Sequence, residues 1–236
     1  MEFLIDPEVP AISPGDVSYY LYFLLLGLAF YAVHKLKGLI SRYKNRVRIF
    51  FLILAVLQRV TVNSWYLIIG EYSLAYSLPL QICRLVVLVV IIQFFARKES
   101  LNQVIFYIGL FAYGAFFYPV GIHPITHMAG WSFFLLHSIN ILFPFAMYYA
   151  VGFMPSFKGL LQAYAIFVVY FSVAYFVNQI AGGNYFYLVE RPFLHDLNEM
   201  VYIIINLAGT FLGFLVVWFI IQCIIKLREK FMLNLK

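Results

Sequence analysis

The sequence predicts an all-α polytopic membrane protein, a bundle of seven transmembrane helices, and three observations predict it. The chain of 236 residues is 64% hydrophobic and 11% charged, with a mean hydropathy of +0.91, whereas soluble domains are roughly half apolar and a quarter charged. Apolar runs of about 20 residues, the length that crosses a hydrocarbon core of roughly 30 Å, recur along it. Lysine and arginine collect in alternate connections between those runs.

The first run lies near residues 17–33. It follows M-E-F-L-I-D-P-E-V-P, which is acidic where a signal peptide would be basic, and no small-residue cleavage pattern follows, so the run is expected to stay as a helix. The second lies near 49–70 and the third near 78–96. Proline suits a first helical turn because it lacks an N–H and fixes φ, so Leu78–Pro79 is expected to start the third helix. The fourth and fifth lie near 101–120 and 128–150. The fifth contains Pro144, whose ring displaces the carbonyl four residues back, that of Asn140. The sixth and seventh lie near 160–180 and 201–225. Connections are short and free of low-complexity sequence, so one integral membrane domain is expected over 1–236. The longest connection, 181–200, is aromatic and acidic and is expected to pack over the outer mouth of the bundle.

Orientation follows from the basic residues. Six fall in H-K-L-K-G-L-I-S-R-Y-K-N-R-V-R. Arg97 and Lys98 follow the third helix, Lys158 precedes the sixth, and Lys226, Arg228, Lys230 and Lys236 end the chain on the same side of a seven-helix zigzag. Arg191 stands alone opposite, while Arg59 and Arg84 fall inside helices. The positive-inside rule therefore predicts a multi-pass cell-membrane protein with its N-terminus outside and its C-terminus in the cytoplasm. The net charge of +6 serves topology and contact with anionic head groups, and no nucleic-acid partner is expected. Cys83 and Cys223 lie near opposite ends of different helices, so no disulfide is expected between them.

Polar groups inside hydrocarbon are costly and tend to line a site or pair with one another. Here they are few: Gln58, Arg59 and Asn63 on the second helix; Gln81, Cys83 and Arg84 on the third; His137, Ser138 and Asn140 on the fifth; Asn178, Gln179, Asn206 and Thr210 beyond. At a rise of about 1.5 Å per residue, Cys83 and His137 fall roughly 8 and 14 Å below the outer interface, in one leaflet. A lone buried cysteine is more often a small packing group, and a lone membrane histidine is often an interhelical strut. The coincidence of thiol, imidazole and guanidinium in one leaflet points to a polar cavity open to the outer side. His123 and His127 form a close pair, but Pro124 stands between them and no metal or cofactor is expected. The abundant aromatics read as membrane-belt and packing residues.

L-P-L-Q-I-C on the third helix, F-F-L-L-H-S followed by a proline on the fifth, and N-Y-F-Y-L-V-E-R-P at 184–192 resemble the motifs of the YwaF-type bacterial integral membrane family. That family is similar to the animal transmembrane protein 164, an acyltransferase that moves fatty acyl chains between phospholipids. The resemblance spans nearly the whole chain and implies Cys83 and His137 as the catalytic pair, with Gln81 standing where the family often has histidine. Arg84, Arg59, Gln81, Asn140, Asn63, Asn184 and Tyr185 are then the expected substrate-binding residues, and membrane phospholipids the partners. The expected function is a lipid acyltransferase or acyl hydrolase working through a cysteine thioester with a histidine base. Two other readings stay open: a transporter or binding protein for a small anionic or polar solute, to which Arg59 would contribute, and a non-catalytic membrane scaffold.

Overall fold

The computed structural model describes residues 2–233, and every regular element in that span is helical. Lys236, one of the basic residues expected at the cytoplasmic end, lies outside the described residues. The α-helices are α1 (Val17–Lys35), α2 (Lys37–Arg42), α3 (Lys44–Ile68), α4 (Ile82–Ala96), α5 (Glu99–Gly109), α6 (Phe111–Phe117), α7 (Met128–Val151), α8 (Phe157–Ala181) and α9 (Glu199–Leu233). Six stretches are long and apolar enough to cross a membrane, with α5 and α6 together forming one of them. The seventh predicted segment is α4, an apolar helix of 15 residues, about 22 Å long at 1.5 Å per residue. The protein is a multi-pass membrane protein.

Its surface is inverted relative to a soluble fold. Leu24, Ile53, Val169, Phe176 and Phe219 are exposed, whereas Gln58, Gln103, His137, Asn140 and Asn178 are buried, as expected where hydrocarbon is the solvent. At the centre stands α7, which packs against α1, α2, α3, α4, α5 and α6. Its close approach to α5 needs Gly109, where an added Cβ would lie 3.0 Å from the Asn140 carbonyl oxygen. That carbonyl is the one freed by Pro144 inside α7.

Two ends of the bundle are distinguished by their connections. One carries the basic segments and is tied by His34 Nδ1 to Tyr149 Oη at 3.1 Å and by Gln103 Nε2 donating to Met154 O at 2.9 Å. The far end gathers 5–16, 69–81, 118–127 and 182–198, joined by bonds such as Ile12 N to Ile122 O at 2.7 Å. The basic connection 34–48 is not a plain loop, since α1 runs on to Lys35, α2 spans Lys37–Arg42 and α3 begins at Lys44.

The start of the third segment differs from expectation. Leu78 and Pro79 lie in a turn, and α4 begins at Ile82 with Gln81 as its extended N-cap. Tyrosine hydroxyls hold the preceding backbone: Tyr185 Oη donates to Leu74 O at 2.8 Å and accepts from Leu78 N at 3.1 Å, and Tyr170 Oη donates to Leu80 O at 2.7 Å. Side chains thus satisfy the groups that a longer helix would have paired.

Candidate functional site

A cavity of about 720 Å³ opens among α3, α4, α6, α7 and the far-end connections. Cys83, Arg84, Gln81 and His137 line it, together with Gln58, Ser132, Tyr66 and His123. Its cover comes from the 182–198 connection through Phe186, Tyr187, Pro192 and Phe193. Phe186 and Tyr187 have φ of 57° and 53°, a left-handed conformation that large side chains adopt at a cost of about 1–3 kcal/mol. The Phe186 ring lies against those of Phe111, Phe167, Tyr170 and Phe171, with centroids 5.3 to 6.0 Å away, which holds that conformation.

Because α4 begins at Ile82, Cys83 stands in its first turn. The N–H groups of Ile82 and Cys83 have no acceptor among the described residues, while Arg84 N is taken by Gln81 O at 2.8 Å. Free first-turn N–H groups and the positive end of the helix dipole favour an anion beside the thiol. The backbone of Cys83 is fixed from α7, where Asn140 Nδ2 donates to its carbonyl at 3.1 Å.

His137 is oriented within its own helix. Its Nδ1 lies 2.8 Å from Phe133 O. A carbonyl only accepts, so Nδ1 carries the hydrogen, and in the neutral ring Nε2 is left as the base. The next residue, Ser138, faces elsewhere: it lines a second cavity of about 490 Å³ toward the basic end.

Arg84 reaches across the mouth, donating from Nη1 to Tyr76 O at 2.7 Å and from Nη2 to Tyr66 Oη at 2.9 Å, with its guanidinium carbon 5.3 Å from the Tyr66 ring centroid. Both acceptors are neutral, so the charge stays available to an anion. Gln58 Nε2 donates to Ser132 Oγ at 3.0 Å, and Gln58 Oε1 is buried without a partner among the described residues. His123 stacks on His127 with centroids 4.2 Å apart. Burial pushes both rings below the usual histidine range.

Other expected site residues lie apart. Arg59 does not line the cavity, and its Nη2 donates to Asn63 Oδ1 at 3.2 Å. Asn140 links α7 to Cys83 from behind the cavity wall. Asn184 is a loop organiser, accepting from Val189 N and Glu190 N, each at 3.1 Å, and donating to Glu190 O at 2.9 Å. Tyr185 is fully buried, its backbone paired with Asn178 and its hydroxyl committed to the turn before α4. The cavity also has walls that sequence reasoning passed over: Tyr66, Tyr187 and Tyr202 were indistinguishable from the many belt aromatics. Among the described residues no group of three or more metal-ligating side chains occurs.

The model of one protein family, the TMEM164 family, matches residues 13–222. No curated protein and no solved structure matches the chain.

Proposed function

The chain belongs to the TMEM164 family, and from that premise we propose that it is a membrane-embedded lipid acyltransferase or acyl hydrolase acting through a thioester on Cys83. The observation that carries the reading is the placement of Cys83 in the first turn of α4, on the same cavity as a histidine whose Nε2 is free. Catalytic thiols favour helix N-termini and need a neighbouring base. We place the cavity in the outer leaflet, with the N-terminus outside and the C-terminus cytoplasmic, on the positive-inside distribution of Lys and Arg.

In the first half-reaction His137 Nε2 takes the thiol proton as sulfur attacks the ester carbonyl of a phospholipid. The oxyanion that develops is met by the free N–H groups of Ile82 and Cys83, and Arg84 holds the phosphate. Collapse breaks the ester C–O bond, the proton passes from His137 to the departing lysophospholipid oxygen, and the acyl group remains on sulfur. In the second, His137 takes the proton of an alcohol or of water, that oxygen attacks the thioester, and the proton returns to the released thiolate. Alcohol gives transfer and water gives hydrolysis.

Transport of a polar solute is the rival reading, and the second cavity weighs against it. Its wall is apolar except for Tyr43, Arg46 and Ser138, so a hydrated anion passing into it from the Cys83 side would meet an apolar lining.

The test is covalent. Purified protein given a phospholipid labelled in its acyl chain should acquire label that neutral hydroxylamine releases, and Cys83→Ala should acquire none. His137→Ala should slow labelling by about 10²- to 10⁴-fold, the usual contribution of a general base. Label that persists in Cys83→Ala would end the thioester reading.

A further inference from the structure

The second cavity lies at the basic end, walled by α1, α2, α3 and α7. Its volume of about 490 Å³ falls within the range of about 300–1,000 Å³ typical of small-molecule sites. Along α7 its wall runs from Phe134 to Ala146, a rise of roughly 18 Å. Val33, Val47, Phe51 and Leu142 are typical of the lining. At its mouth the chain turns from α2 into α3 at Tyr43, whose φ of −115° and ψ of 43° are not helical. Two guanidiniums converge on the Tyr43 ring, with Arg42 Cζ 5.3 Å and Arg46 Cζ 4.8 Å from its centroid.

We propose that this cavity is a second lipid site, in which one acyl chain of an anionic phospholipid fills the apolar interior while Arg42 and Arg46 grip its phosphate. Charge and polarity argue for that occupant. Arg46 and Tyr43 belong both to the arginine cluster and to the cavity wall, so head and tail sites are continuous. Among the described residues neither guanidinium donates a hydrogen bond to the protein, which leaves two planar forks for phosphate oxygens. Two cations braced on one ring repel each other until an anion joins them. A soluble phosphate would satisfy the arginines and leave the apolar chamber empty, whereas a phospholipid fits both. The site is independent of the reaction proposed for the Cys83 cavity, and its test reads binding alone.

Full-length protein in detergent, titrated with phosphatidylglycerol or with phosphatidylcholine of the same chains and followed by native mass spectrometry, tests the proposal. Wild type should retain one phosphatidylglycerol about 30-fold more tightly than phosphatidylcholine, the preference two basic residues give near an anionic head group. Arg42→Gln with Arg46→Gln should bring the two lipids to within about twofold of each other. Ala32→Phe, at an exposed wall position that tolerates bulk, should weaken both lipids because it narrows the tail chamber. Glycerol 3-phosphate should displace neither. Equal retention by wild type, a preference that survives the double glutamine variant, unchanged binding in Ala32→Phe, or displacement by glycerol 3-phosphate would each overturn it.

Discussion

Asn140 on α7 holds the backbone of Cys83 on α4 through a hydrogen bond of 3.1 Å from its Nδ2 to the Cys83 carbonyl. The two residues are 57 apart in sequence, and the bond fixes the first turn of α4 without entering the cavity. Asn140→Leu should therefore separate stability from activity. Interhelical hydrogen bonds in membrane bundles average about 0.6 kcal/mol, so thermal stability should change little, while a displaced nucleophile costs on the order of 10²-fold in rate. Equal acylation rates in Asn140→Leu and wild type, with the melting temperature as a control, would remove the positioning role.

Tyr185 carries the turn before α4. Replacing it by phenylalanine removes the hydroxyl that serves Leu74 O and Leu78 N and should cost about 1–3 kcal/mol for the backbone groups left unpaired. Denaturation in mixed micelles measures this. A Tyr185→Phe protein as stable as wild type would show that other groups satisfy the turn.

Acid should loosen the N-terminal segment. His127 Nδ1 accepts from Ala129 N at 3.1 Å, so its Nε2, 3.2 Å from Asp6 O, is the donor. Protonation destroys the helix cap. Burial lowers the folded-state pKa of His127 and His123, so the folded protein binds fewer protons than the unfolded chain, and the stabilisation is present above about pH 6.5 and lost as pH falls below it. Trp65 packs against both rings, with centroids 5.6 and 5.8 Å away, and its fluorescence should report the transition. His127→Asn, which keeps a capping acceptor, should shift or abolish the acid transition. Identical profiles in the variant and wild type would exclude this histidine.

Topology can be read by labelling. Gly183 is a poor position for an added cysteine, because a Cβ there would lie 2.7 Å from the Ala75 carbonyl oxygen. Ser41→Cys and Asp196→Cys, both at exposed positions, should label from opposite sides of the membrane in a background lacking Cys83 and Cys223. Labelling of both from one side would overturn the orientation proposed from the basic residues.

The segments were legible because hydrocarbon imposes its length on them: α1, α3, α7 and α8 start or end within a few residues of the apolar runs. The beginning of α4 was not legible. Pro79 is compatible with a first helical turn, and what holds it outside is a set of hydroxyls from Tyr170 and Tyr185, about a hundred residues away. The break after Gly109 was likewise invisible, because α5 and α6 read as one apolar run. Of the site, Cys83, Arg84, Gln81 and His137 were signalled by polarity in an apolar context. Arg59 and Asn140 carry the same signal, and Asn184 and Tyr185 stand in the motif at 184–192, yet all four bond to the scaffold, and composition does not distinguish a group aimed into a cavity from one aimed at a carbonyl.

His137 and Ser138 are adjacent on α7 yet border different chambers, as neighbours about 100° apart around a helix can. Helix α7 is therefore a septum one helix thick, and the two chambers share its two faces. Pro144, which removes a rung from the α7 hydrogen-bond ladder, falls in this partition between Leu142 and Ala146, both of which face the second chamber.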